Sequence, residues 1–516
     1  MERAFPTLHR EQFDVVVIGA GINGASAIQH LASAGYRCLI VDKGDFASGA
    51  SGRSSRMLHI GLRYFETPHP LLHFGLRPGR LITAVRLARQ AMAAVEEHLA
   101  DAADRIWPYR MCFPIYRGDP MKRWHVAAGL RLLSLLGKGR VRLAPEMVDR
   151  DHASKIPFFG DLRDTASIRA IACYREFKFD WPERFCLDML LDAERNRAVL
   201  ANYCTAELGE RDGKDGWTVA LRSTGNPSLK PAVVHAPVVL NMAGTWIDDI
   251  FPSHRGRIVQ GTKGAHIVVE MPERYRGFGI ATLSRLNQPF YVLPLHKNLY
   301  SVGVTETLFE GDATDVACSD EEIDYLIDEM NHVLPGRALR PSDVQRSWAG
   351  VRPLTYSATE PMGTRTRELH DLAGRGLPGV FALTAGPIMT HRSSGRLVLD
   401  TVAKRLPPSA PPGRIDFAPY RFSTGENSPP LLADEPEVRV SDIEFGVLKE
   451  HAKSLTDVLL RRTGLAWRRN LTRSEAELAA GIVAPLLDWS TEEKRIQVEE
   501  FMAFQDTVFR RPAAAE

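Results

Sequence analysis

Asp14-Val-Val-Val-Ile-Gly19-Ala-Gly21-Ile-Asn-Gly24-Ala25, followed at the next strand end by Ile40-Val41-Asp42-Lys43, decides how the rest of the chain is read. A short apolar run ends in three glycines spaced to make a tight turn, to admit a pyrophosphate against bare backbone, and to let a helix pack close to the strand. The helix begins where the glycines end, so its unsatisfied N–H groups face an anion. Asp42 closes the apolar stretch 36–41, where a carboxylate accepts hydrogen bonds from an adenosine ribose. Strand, glycines, Ala-rich helix, second strand and terminal acid together predict a dinucleotide-binding α/β unit.

Composition bounds what surrounds it. A chain of 516 residues exceeds one typical core and implies two or three domains. With 44% hydrophobic and 25% charged residues it has ordinary globular composition and can enclose a large cofactor. The 65 basic and 63 acidic residues leave a net charge of +2, which carries no nucleic-acid footprint. Cys38, Cys112, Cys173, Cys186, Cys204 and Cys318 form no C-x-x-C pair, arguing against an iron–sulfur or zinc site and suiting a reducing compartment. No apolar signal segment precedes the first strand and no apolar run is long enough to span a membrane, so a cytoplasmic chain is expected. Any membrane attachment is then peripheral.

After the glycine turn, residues 44–56 are too rich in glycine and serine for a regular element. Their backbone and hydroxyl donors suit a phosphate or a ring system, with Arg53 or Arg56 adding charge; the bland alternative is a surface loop. The largely apolar segment 57–65 follows, carrying His59 and Arg63 into partly buried surroundings, where a charge needs a partner. Residues 77–98 and 121–136 predict helices. The second, with residues 71–89, joins an apolar face to basic residues such as Lys122, Arg123 and Arg131, the character of an interfacial helix or of one packed on its own core.

From residue 164 to 241 αβ character returns, with a helix expected over 188–202 and a strand at 217–221. A buried strand at 238–241 runs into a second glycine turn at Gly244 and a helix. Both turns then belong to one nucleotide-binding sheet, with 76–163 inserted into it. Alternating patterns over 256–270 and 290–304 predict antiparallel strands roofing the site, beside a helix at 321–333. Segments around Arg352 and Gly386 lead back to the nucleotide domain, which ends in a helix over 394–404. A proline-rich link, 406–437, precedes a polar tail, 438–516, whose helices at 454–462 and 474–486 predict a small separate domain.

These stretches together resemble the FAD-dependent glycerol-3-phosphate dehydrogenases, within the wider glycine oxidase and D-amino-acid oxidase fold group. The resemblance covers nearly the whole chain. It rests on the glycine fingerprint, on Asp45-Phe-Ala-Ser-Gly-Ala-Ser-Gly-Arg-Ser-Ser-Arg-Met-Leu-His59-Ile-Gly-Leu-Arg63-Tyr64, on Asn241-Met-Ala-Gly-Thr-Trp246, on Lys263-Gly-Ala-His266, on Gly350-Val-Arg352-Pro-Leu and on Asp457-Val-Leu-Leu-Arg-Arg-Thr-Gly-Leu465. It implies an α/β fold: an FAD-binding Rossmann-like domain from 1–75, 164–255 and 350–405, an antiparallel-sheet substrate domain from 76–163 and 256–349, and a C-terminal helical domain. It implies oxidation of a secondary alcohol of a polyol phosphate to a ketone, hydride transfer to flavin N5, and reoxidation by a quinone at the membrane.

Carried onto this chain, the resemblance puts FAD against Gly19, Gly21, Gly24 and Asp42, the loop hydroxyls Ser48, Ser51, Ser54 and Ser55, and Gly244, Gly386 and Thr390. Arg63, Tyr64 and Arg352 contact substrate, with His59 and His266 near the reacting carbon. Guanidinium holds phosphate or carboxylate with paired hydrogen bonds, and imidazole accepts the hydroxyl proton as hydride leaves. Each histidine also has a structural reading, and the sequence does not choose between them as base.

Two positions depart from the family pattern. A family lysine that binds substrate phosphate falls on Pro387, leaving His391 or Arg392 to substitute, and Ile60 replaces a glycine expected beside the flavin. Three readings therefore stand: a quinone-linked polyol-phosphate dehydrogenase, an oxidase or dehydrogenase of a hydroxy or amino acid, and a flavin-binding protein without catalysis.

Overall fold

The computed structural model describes residues 8–65, 74–137, 139–213, 216–250, 256–314, 316–418 and 427–512. Its organising layer is a six-stranded sheet in the order Glu368–Asp371, Val380–Thr384, Val238–Asn241, Val15–Ile18, Cys38–Val41 and Val199–Ala201, parallel except for the first edge strand. Four of these strands are apolar along their length and buried on both faces, as an internal parallel sheet requires. Alternation sorts their side chains. Val15, Val17, Ile40 and Leu240 pack under the helices Ile22–Ser33, Pro182–Arg195 and His391–Ala403. Val16, Ile18, Leu39 and Val239 face a three-stranded antiparallel meander, Cys204–Asp212, Gly216–Ser223 and Ala232–Ala236.

A ten-stranded mixed sheet stands over this layer. Its longest pairings join Val259–Glu270 to Val344–Thr355 and Ile106–Tyr116 to Ile168–Phe179. The short strand Met57–Leu58 pairs with the latter, delivering His59 from the dinucleotide layer to the roof. The antiparallel strands predicted over 290–304 are Pro289–His296 and Leu299–Gly303, paired as a hairpin.

The helices Pro78–Asp101 and Arg123–Leu136 pack on this sheet through Ala88, Met92, Val95, Val126, Leu130 and Leu133. Their other faces keep Ile82 61% and Trp124 56% exposed. The first residues of the expected interfacial stretch, 71–73, lie outside the described residues. No helix among the described residues is long and apolar enough to cross a membrane.

Three elements differ from the sequence expectation. The helix expected over 188–202 is Pro182–Arg195, with proline in its first turn; Arg197, at φ +70°, breaks the chain away so that Val199–Ala201 joins the parallel sheet. The helix expected after Gly244 is a 3₁₀ segment, Gly244–Ile250. In the tail, Asp457–Arg462 winds as a π-helix, and the tail core includes Val268 and Trp348 of the roof.

Candidate cofactor and substrate site

The glycine turn is built for close approach. Gly19 has φ +103°, and a Cβ there would lie 2.5 Å from the Met242 carbonyl oxygen. At Gly24 it would lie 1.9 Å from the Gly19 oxygen, so this glycine sets how tightly helix packs on turn. The Ile22 N–H donates to Ser51 Oγ at 2.9 Å, bringing the serine loop to the helix N-terminus. Asp42 accepts from the N–H groups of Ala20 at 2.7 Å and Gly44 at 3.0 Å. Those bonds aim its carboxylate while leaving lone pairs for ribose hydroxyls. Burial raises Asp42 to about 6, against the pull of the two backbone donors.

A cavity of about 1370 Å³ runs from this turn to the roof. Gly19, Gly21, Asp42, Ser48, Ser51, Ser54, Ser55, Gly244 and Gly386 all line it. Arg53 lines it too and donates to the carbonyls of Thr314 at 2.6 Å and Val316 at 3.2 Å. Arg56 turns away, onto the Asp180 carbonyl and Glu183.

At the far end the roof gathers His59, Arg63, Tyr64, His266, Tyr291 and Arg352. His59 packs edge-on to Tyr64, ring centroids 5.3 Å apart, and the Arg63 guanidinium sits 5.8 Å from the Tyr291 ring centre. His266 stacks on Trp348 at 4.7 Å. On the neighbouring strand, two residues along from Arg352's partner Thr262, the bare Gly264 leaves room for the guanidinium: a Cβ there would lie 2.3 Å from Arg352 Nη2. Lys263, on the same strand, points elsewhere and pairs with Glu322 at 2.7 Å.

Arg365 completes the group and was not singled out from sequence. It lines the cavity and pairs with Glu306. Burial lowers Arg352 to about 9, with Arg365 and Arg63 adding repulsion, and Arg365 is lowered by burial and by Arg63. Three guanidinium groups that destabilise one another's charge make a site that a multiply charged anion relieves. Both imidazoles beside them are neutral. Burial, then Arg63 and Arg365, lowers His59 to about 3; burial, then Arg352 and Arg63, lowers His266 to about 3. The Nδ1 atoms of both are buried without a partner.

The remaining expected residues lie off the cavity wall. His391 bonds the Ile388 carbonyl at 2.8 Å and packs on His98, ring centroids 4.9 Å apart. Arg392 pairs with Asp101 at 2.6 Å and covers the Phe417 ring. Both are turned into helix packing by the start of His391–Ala403, and neither lines the cavity beside Pro387. Thr390 Oγ1 donates to the Pro387 carbonyl at 3.3 Å. Ile60, expected beside the flavin, is instead buried in the core under Pro78–Asp101.

A glycine turn with a buried acid at the next strand end, opening into a cavity that also reaches imidazoles and arginines, is the arrangement of an enzyme that binds a dinucleotide cofactor. Residues 14–400 match the FAD dependent oxidoreductase family, and the chain belongs to it. The cradle at Gly19 and Gly21 and the cavity volume fit FAD as cofactor. Among curated relatives, the chain is 27% identical over 572 residues to a glycerol-3-phosphate dehydrogenase of Synechocystis sp., covering 98% of both chains. It is 25% identical over 404 residues to an aerobic glycerol-3-phosphate dehydrogenase of Staphylococcus saprophyticus, covering 77% of this chain and 68% of that one. In fold it resembles the glycerol-3-phosphate dehydrogenase of Bacillus halodurans complexed with FAD, at TM-score 0.72 and 18% identity over 100% and 99% of the two chains. It also resembles the glycine oxidase of Geobacillus kaustophilus, at TM-score 0.53 and 19% identity over 80% and 100%.

Proposed function

We propose that this enzyme oxidises the secondary hydroxyl of glycerol 3-phosphate, or of a closely related polyol phosphate, to a ketone. The observation that carries this reading is the cluster of Arg63, Arg352 and Arg365 beside two neutral imidazoles. One guanidinium satisfies a carboxylate; three suit a phosphate dianion. The names of the relatives point the same way.

In the mechanism, bound FAD supplies a two-electron acceptor at its N5. Gly19, Gly21, the Ile22–Ser33 helix N-terminus and Asp42 would hold its pyrophosphate and ribose, with the hydroxyls of Ser48, Ser51, Ser54 and Ser55 as further donors. Arg63, Arg352 and Arg365 clamp the phosphate end of substrate and so fix the distance to the reacting carbon. His59 or His266, neutral and lining the cavity, takes the hydroxyl proton as the carbon gives up its hydride. Tyr64, against His59, narrows the space around the carbon.

The division into an FAD-binding unit (1–75, 164–255, 350–405), a substrate unit (76–163, 256–349), a linker (406–437) and a helical tail (438–516) is supported by the segments that supply the parallel sheet. We infer a quinone as electron acceptor and the cytoplasmic membrane face as location. Exposed Ile82 and Trp124, with Arg80 and Arg123 beside them in sequence, support a peripheral lipid contact. The test is steady-state oxidation of glycerol 3-phosphate, glycerol and glycine with a soluble quinone or oxygen as acceptor. Turnover of the phosphate ester with quinone is expected; turnover of glycine with oxygen, and none of the ester, would put the protein among amino-acid oxidases.

A further inference from the structure

The tail motif Asp457-Val-Leu-Leu-Arg461-Arg462 has no part in the substrate site, yet its charges are buried in the dinucleotide layer. Asp45 is fully buried and lies three residues beyond the ribose-facing Asp42. Its carboxylate accepts from Arg461 Nε at 2.6 Å, from Arg462 Nη1 at 2.6 Å and Nη2 at 2.8 Å, and from Asn202 Nδ2 at 3.0 Å. Asp457 balances the second guanidinium, accepting from Arg461 Nη2 at 2.6 Å, and it also accepts from the hydroxyls of Tyr203 and Ser454, each at 2.7 Å. The Lys453 ammonium donates to the Asn202 carbonyl at 3.1 Å.

Two features tie this network to the cofactor. The loop it grips is the one that aims Asp42: the Gly44 N–H donates to Asp42, the Gly44 carbonyl accepts from Tyr203 N at 2.8 Å, and the Asp42 carbonyl accepts from Cys204 N at 2.7 Å. Network members Asp45, Tyr203, Lys453, Ser454 and Arg461 also line the cavity at its Asp42 end. Docking a helical tail needs only apolar contact, and a buried ion network is a poor way to obtain stability alone. Fixing one geometry is what such a network does well.

We propose that Arg461 and Arg462 latch Asp45, and that this latch holds the adenosine half of FAD by fixing the Asp42 loop and closing the cavity end with Lys453 and Ser454. The tail is then a cofactor-retention device, with Arg461 and Arg462 as positioning residues acting through Asp45. The inference rests on FAD as cofactor and is independent of the substrate, so its failure leaves the substrate assignment standing.

The test is fluorescence titration of FAD into cofactor-stripped full-length protein, with thermal melts of the stripped protein alongside. Asp45→Asn keeps the shape and removes the charge between the guanidinium groups. It should raise the FAD dissociation constant about tenfold or more, the scale of breaking a buried charge network. Arg461→Lys, which keeps the charge and loses the fork, should give a smaller rise. Folded Asp45→Asn protein that binds FAD as tightly as wild type, with only its melting temperature lowered, would overturn the proposal. Should Asp45→Asn fail to fold, Arg461→Lys decides: wild-type FAD affinity overturns the latch, and weakened affinity supports it.

Discussion

Arg365 reaches the substrate end because the chain doubles back after Val344–Thr355: Thr355 and Thr364 exchange backbone hydrogen bonds of 3.1 and 2.8 Å, returning the next residue to the wall that carries Arg352. Nothing in Thr364-Arg365-Thr366-Arg367 signals this, since the segment has neither strand nor helix periodicity. His59, His266 and Arg352, by contrast, sit in apolar or alternating runs, where a charged or titratable side chain stands out. Replacing Arg365 by Ala should raise KM for the phosphorylated substrate on the order of 10- to 100-fold, the worth of a charge-assisted hydrogen-bond pair, with FAD content unchanged. Retained KM would move Arg365 out of the substrate role.

The histidines give a stability prediction with a defined sign. Burial lowers His30 to about 4 and His59, His266 and His391 to about 3, all below the unfolded value of 6.5. Between those values the unfolded chain binds more protons than the folded one. Their stabilising neutrality is therefore full above pH 6.5 and lost as pH falls below it, at up to about 1.4 kcal/mol per unit per group. Chemical denaturation should show a several-kcal/mol loss between pH 7 and pH 5. Equal stability at the two values would mean these imidazoles are charged or exposed.

Among the elements, the first strand, glycine turn and helix were legible because each residue there has one physical job. Gly24 is the sharpest case. Alanine would push its Cβ to 1.9 Å from the Gly19 oxygen, so Gly24→Ala should move the helix off the turn and yield folded protein without yellow colour. A yellow, fully loaded variant would show that the helix tolerates the shift. Less legible were elements decided by partners distant in sequence. Val199–Ala201 is a strand because Cys38–Val41 leaves an edge to pair with, and local helix propensity loses to that edge. His391 and Arg392 were expected to substitute for the family lysine missing at Pro387, but the helix that starts at His391 carries both into packing. The amphipathic helices were readable as helices while their outer faces stayed ambiguous. Ile82→Asp with Trp124→Ser should weaken binding to anionic vesicles at least severalfold without altering solution turnover, both side chains being more than half exposed. Unchanged vesicle binding would place the lipid contact elsewhere.

Across the whole molecule, each layer meets the same elongated cavity with a different chemistry. The parallel sheet supplies the glycine turn and Asp42, the roof supplies imidazoles and guanidinium groups, and the tail closes the Asp42 end. The order follows from topology: parallel strands put their carboxyl ends on one side, and a ligand settles in the crevice there. The roof then places Gly264 and His266 of Val259–Glu270, and the run Gly350 to Leu354 of Val344–Thr355 with Arg352 at its centre, over that crevice.

Anaerobic addition of glycerol 3-phosphate to the purified, oxidised holoprotein tests the central claim most directly. The account predicts bleaching of the yellow chromophore at a rate that saturates with the phosphate ester, and little bleaching by glycerol at the same concentration. A chromophore that stays oxidised with the ester, yet bleaches with an unphosphorylated hydroxy acid or an amino acid, would contradict it.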